Sequence, residues 1–137
     1  MTVALEAGLV GRELEPLREF YTAVMGFRLV EQLHFNVGTV YKFQRDAARL
    51  KIFVSTDTID PPVDAVPWFR AGGWRYAALY LDEIEDVDAL AGAVRESPGR
   101  VLQEPASHRP GARMALIADP EGNVWELLSE ARTPRVT

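Results

Sequence analysis

Apolar positions along the chain change period several times, and each change marks an element. Over residues 3–10, Leu5, Ala7 and Leu9 fall in one phase and Glu6, Gly8 and Val10 in the other. A period of two argues for a half-buried strand, and the more apolar phase, Leu5/Ala7/Leu9, is the one expected to pack inward. From Glu13 to Met25 the apolar residues Leu14, Leu17, Phe20, Tyr21 and Val24 recur at helical spacing, which predicts a helix. Pro16 suits its first turn and Gly26 its end. Three strands are predicted next, over 28–36, 39–45 and 49–55, joined by turns at Asn36-Val37-Gly38 and Arg45-Asp46-Ala47-Ala48. The first unit therefore reads β-α-β-β-β.

Residues 56–73 are rich in proline and glycine and read as a linker. The order then recurs. Trp74 to Leu81 alternates like a strand. Val87, Leu90, Ala91 and Val94 mark a helix stopped by Pro98-Gly99, and strands follow near 100–104, 112–118 and 123–129. The tail, 131–137, is expected to fray. Glu13-Leu14-Glu15 lines up with Asp86-Val87-Asp88, Gly26 with Gly99, and Ser55 with Ser129. The expected architecture is α+β: two tandem βαβββ modules (3–55 and 74–130) in a single domain, 1–137, forming a curved mixed sheet shaped as a cup.

Composition narrows the function classes. At 137 residues and 47% hydrophobic content the chain can bury a core without staples. It has no cysteine, which excludes disulfides, thiolate zinc sites and cysteine nucleophiles. Its net charge of -5 lacks the footprint of a nucleic-acid binder. No apolar run approaches the roughly 20 residues that span a bilayer, and the N-terminus has no basic region leading into an apolar stretch. A cytoplasmic protein that touches neither nucleic acid nor membrane is expected.

Two segments carry a family likeness. Glu13-Leu14-Glu15-Pro16-Leu17-Arg18-Glu19-Phe20-Tyr21, running on to Val24-Met25-Gly26-Phe27, resembles the D-L-E-x-S-x-x-F-Y-x-x-x-L-G-F stretch of the vicinal oxygen chelate superfamily. Asp119-Pro120-Glu121-Gly122-Asn123-Val124-Trp125-Glu126-Leu127 is similar to its D-P-(D/E)-G-N-x-x-E-L ending. That superfamily includes glyoxalase I, bleomycin resistance proteins, fosfomycin resistance enzymes, methylmalonyl-CoA epimerase and extradiol dioxygenases. Local physics accounts for much of both motifs: Pro, Gly and Asn make good turn residues, and Phe20-Tyr21 falls on an apolar helix face. Glu126 is different, because it alternates against Trp125 and Leu127 and so points away from them.

The resemblance implies metal ligands on the first and last strands of each module. Carried over, those positions fall on Glu6, Ile52, Tyr76 and Glu126. Two carboxylates without an imidazole fall short of the three or four protein ligands usual for zinc or iron. The expectation is therefore a degenerate metal site with no cofactor, a divalent metal held by Glu6 and Glu126 being the alternative. Ring-cleaving dioxygenase chemistry is disfavoured, since two histidines and a carboxylate are missing from the mapped positions. His34 sits in the second strand and His108 in the hairpin loop of the second module, neither at a usual ligand position.

An apolar, aromatic cup is expected, lined by Leu50, Ile52, Val54, Tyr76, Ala78 and Tyr80 around the two acids, the usual composition of a small-molecule pocket. Trp68 is a candidate cap, and His108, Arg109 and Arg113 are candidate ligand contacts. Two function classes follow. One is a homodimeric binding protein that sequesters a cationic or aromatic compound, as the resemblance to bleomycin resistance proteins implies. The other is an isomerase, epimerase or lyase in which Glu6 and Glu126 act as acid and base and Tyr76 donates to a developing oxyanion. A pure assembly module has no residue in its favour.

Overall fold

The computed structural model describes residues 1–60 and 67–130. The middle of the linker and the whole tail lie outside the described residues. Among the described residues eight strands are formed: β1 (Ala7–Gly11), β2 (Arg28–Phe35), β3 (Gly38–Arg45), β4 (Ala48–Ser55), β5 (Tyr76–Tyr80), β6 (Arg100–Ala106), β7 (Ala112–Ala118) and β8 (Val124–Glu130). Helix α1 (Leu14–Glu19) runs on into a π-helical turn over Phe20–Val24, and α2 spans Ile84–Arg95. The strands form two four-stranded sheets, ordered β1-β4-β3-β2 and β5-β8-β7-β6. In each, the first strand runs parallel to the last and the other pairings are antiparallel. A parallel pairing needs a crossover, and the helix supplies it. Two βαβββ modules in a mixed α+β architecture result.

Boundaries shift where local chemistry outweighs the pattern. β1 starts only at Ala7, and Leu5 stays 83% exposed, so Ala7 and Leu9 alone of the predicted phase pack inward. α2 begins earlier than its apolar residues suggest. Asp86 turns back to accept the Glu83 backbone N–H at 3.1 Å, closing the helix start. β6 extends to Ala106 despite Pro105. It is an edge strand with register shifts, where proline costs no ladder bond.

One core joins the modules. Leu17, Phe20 and Tyr21 from the first helix pack in the same cluster as Val87, Ala91, Val94, Ile117, Trp125 and Leu127 from the second module. The two family motifs meet here. The Tyr21 hydroxyl donates to Asp119 Oδ2 at 2.7 Å and accepts from Trp125 Nε1 at 2.8 Å. Asp119, 2% exposed, also accepts the backbone N–H groups of Glu121 and Asn123 and the Asn123 side-chain amide. Burial, and then the Asp119 carboxylate, push the Tyr21 phenol well above its ordinary value of 10.0. Glu121 reaches across the modules to accept the N–H groups of Arg12 and Glu13 at 2.8 and 3.1 Å. It thereby satisfies donors that the start of α1 leaves unpaired.

Candidate functional site

With the helices and core on one side, each sheet has an opposite, open face; in the second sheet this face is exposed along β5 but covered at Leu116 and Leu128, 5% and 6% exposed. Side-chain alternation decides which residues lie there. In β5, Ala77 and Leu79 pack on the core, which leaves Tyr76, Ala78 and Tyr80 on the open face, with Tyr76 50% and Tyr80 71% exposed. In β8, Trp125 and Leu127 are in the core and half-buried Glu126 faces the other way, directly across from Ala78. Among the described residues Glu126 forms no ion pair. Trp68, in the turn Trp68–Arg70, sets its ring edge-on to Tyr76 with centroids 5.2 Å apart, and its carbonyl accepts from Arg75 Nε at 3.2 Å. That places Trp68 over one end of the open face of β5.

The first sheet departs from expectation. Ile52 is 0% exposed and belongs to the core, and Val54 packs against the same cluster. Neither lines the open face; nor does Leu50, which is also in the core. The three apolar residues share one phase of β4 because they lie under α1, as the Leu9↔Ile52 pairing requires. The open phase is Arg49, Lys51 and Phe53. Gly8 pairs with Lys51 just as Ala78 pairs with Glu126, so Lys51, one residue from Ile52, is the counterpart of Glu126. Its ammonium lies 3.1 Å from the Glu6 carboxylate. Cross-strand pairing puts Lys42 opposite Lys51 and Gln44 opposite Arg49 on the same face. A cavity of about 210 Å³ opens among Glu6, Val30, Glu31, Lys42, Gln44 and Arg49. Glu126 and Tyr76 do not line it.

Arg113, Arg109 and the two histidines sit elsewhere. Arg113 lies on the helix side of β7, where its guanidinium bonds both carboxylate oxygens of Asp88 in α2 at 2.6 and 2.8 Å. That hydrogen-bonded arginine holds the Asp88 carboxyl below its usual range. Arg113 is thus a surface partner of α2. Arg109 is paired with Glu130 at 2.9 Å. His108 is exposed in the β6–β7 loop, and His34 lies opposite Thr39, its Nδ1 3.1 Å from the threonine hydroxyl. Thr39 pairs with Val54, so His34 is on the helix side of its sheet, away from Glu6.

Among the described residues no three His, Cys, Asp or Glu side chains converge to hold a metal ion. The mapped ligand positions carry Glu6, Lys51, Tyr76 and Glu126. A protonated lysine has three donors and no lone pair, and it occupies the Glu6 carboxylate. This donor set does not fit a transition metal. The signal for Lys51 was present in the sequence: Leu50, Ile52 and Val54 are uniformly apolar and alternate with Arg49, Lys51 and Phe53. An all-apolar phase marks the core side of a strand.

The fold has many solved relatives. A hypothetical protein, SA1046, from S. aureus is 22% identical with a TM-score of 0.66, covering 94% of this chain and 98% of that one. A glyoxylase/bleomycin resistance protein/dioxygenase domain from Frankia sp. EAN1pec superposes with a TM-score of 0.78 at 11% identity, over 98% of this chain and 96% of that one. A glyoxalase family protein from Bacillus cereus gives 0.78 at 12% identity, over 96% and 97%. At such identities these likenesses speak for the fold alone. No curated protein matches the chain in sequence. The family model for the glyoxalase/bleomycin resistance protein/dioxygenase superfamily matches residues 4–127, and the chain belongs to that superfamily.

Proposed function

We propose that the chain is a small-molecule-binding protein of the glyoxalase/bleomycin resistance type whose site works without the family's metal. One observation carries this reading: the Lys51 ammonium, 3.1 Å from Glu6, stands at a mapped ligand position. A fixed cation replaces a metal there, and a divalent ion would have to displace it against charge repulsion. Open faces bearing Tyr76, Tyr80, Val10 and Phe53 supply apolar surface for a ligand body. The homodimer implied by the family resemblance is part of this proposal.

Metal content by mass spectrometry, with thermal shifts in Mg²⁺, Mn²⁺, Fe²⁺, Ni²⁺ and Zn²⁺, tests it. The parent chain is expected to hold no stoichiometric metal and to show no shift. Lys51→Glu, which removes the ammonium and adds a carboxylate beside Glu6, is expected to gain a shift with at least one of these ions. A stoichiometric metal in the parent chain that Glu6→Ala removes would overturn the proposal.

A second reading, proton transfer next to a carbonyl, is favoured by the half-buried Glu126 carboxylate, which has no ion partner among the described residues. Such a group is available to take and return a proton. Under that reading Glu126→Gln abolishes turnover while ligand affinity persists. Unchanged turnover would remove Glu126 from the chemistry.

A further inference from the structure

The open face of the first sheet has an uneven charge pattern that folding does not need. Read across the strands by register, one row runs Gly8, Lys51, Lys42, Glu31. The neighbouring row holds Arg49 opposite Gln44, and Gln44 opposite Arg28. On the other side lies an apolar row, Val10, Phe53, Val40 and Leu33. Lys42 and Lys51 are directly opposed across β3 and β4, and like charges in that position destabilise a sheet. Glu6 neutralises only Lys51. Lys42 and Arg49 have no ion pair among the described residues, and both line the cavity of about 210 Å³. A chain of net charge -5 thus gathers four cations, Arg28, Lys42, Arg49 and Lys51, against two carboxylates, Glu6 and Glu31, on one face, with apolar surface alongside.

We propose that this face seats an amphiphilic anion. Its carboxylate or phosphate monoester group lies between Lys42 and Arg49, and its apolar body runs along Val10, Phe53 and Val40. Arg49 offers a planar fork suited to paired oxygens, and Lys42 a compact point charge. The Glu6–Lys51 pair fixes the Lys51 side chain beside the seat, and the net positive charge of the face comes from Lys42, Arg49 and Arg28, which form no ion pair among the described residues. The family resemblance implies a cationic or aromatic ligand; at this face cations outnumber carboxylates four to two, and it is the local field that a bound group feels. This inference rests on the small-molecule reading above and specifies the chemistry of its ligand.

The test uses the full chain and two-dimensional amide NMR, titrated separately with hexanoate, phenyl phosphate, phenol and hexylammonium. Hexanoate, phenyl phosphate or both are expected to give saturable shifts in β3 and β4, at least tenfold tighter than phenol or hexylammonium, and weaker as salt is raised. Whichever of the two binds more tightly identifies the anionic group. The double variant Lys42→Gln/Arg49→Gln keeps the side-chain stems and is expected to weaken anion binding at least tenfold, its own spectrum confirming the fold. Arg95→Gln, on the surface of α2, serves as a control that leaves binding unchanged. Phenol or hexylammonium binding β3 and β4 as tightly as the anions, or a double variant with unaltered affinity, would overturn the anion seat. Saturable shifts confined to β5 and β8 would overturn it while leaving the small-molecule reading standing. Silence from all four probes would count against both.

Discussion

Tyr21 shows how one hydroxyl serves two motifs at once. It is 0% exposed, accepts from Trp125 and donates to Asp119. Its removal would leave a buried indole N–H and a buried carboxylate each one partner short. Tyr21→Phe is therefore expected to lower stability by about 1–3 kcal/mol, read from urea unfolding. The phenol also makes alkaline stability depend on pH. Its folded value lies above the 10.0 of the free side chain, so its contribution is whole below pH about 10 and is lost as pH rises through the folded value. The difference in stability between the parent chain and Tyr21→Phe should shrink above that point. A constant difference through the alkaline range would show that burial does not hold the proton.

Single contacts also decide how elements meet. α1 is only six residues long before it widens into its π-helical turn, and its cap comes from the opposite module through Glu121. Glu121→Gln keeps a side-chain oxygen but removes the charge that favours a helix start. We expect a loss of about 0.5–2 kcal/mol and faster hydrogen exchange at Arg12 and Glu13, with α2 unaffected. Equal exchange in both proteins would mean that Arg12 and Glu13 are protected by something other than the carboxylate. Gly99 serves the same junction. A Cβ there would stand 2.6 Å from the Phe20 ring and 2.8 Å from the Ala118 carbonyl, so this glycine, three residues past the α2 cap Glu96, lets the first helical segment approach. In the sequence it marks only a stop signal, because close approach between distant segments leaves no local mark.

For the whole molecule, the exposed apolar side chains set an expectation about assembly. Trp74 is 98% exposed and Phe69 64%, and covering large aromatic side chains of this kind favours association of two copies. Sedimentation equilibrium is expected to give twice the 15.3 kDa of one chain, and a single-chain mass would remove the homodimer from the proposal. Among the described residues no helix is long and apolar enough to cross a membrane.

The alternation of Ala7 with Gly8, the helical spacing from Leu14 to Val24 and the recurrence of both after the linker were enough to specify two βαβββ modules, because period and order are local properties of the chain. Glu126's face was legible for the same reason: Trp125 and Leu127 bracket it. Face assignment in β4 was not recovered, because aligning the modules on Ser55 and Ser129 slipped the strand by one residue, and a slip of one sends every side chain to the other side. Strand pairing replaces Ile52 and Val54 by Lys51 and Phe53, in agreement with the all-apolar phase of Leu50, Ile52 and Val54 that the sequence already carries. The character of the site changes with it, from an apolar wall to a charged face that carries Lys51, Lys42 and Arg49 beside Glu6 and Glu31. The Tyr21–Asp119 lock, the reach of Glu121 to α1 and the hold of Arg113 on Asp88 all join residues far apart in the chain, and their partners exist only once the two modules share a core.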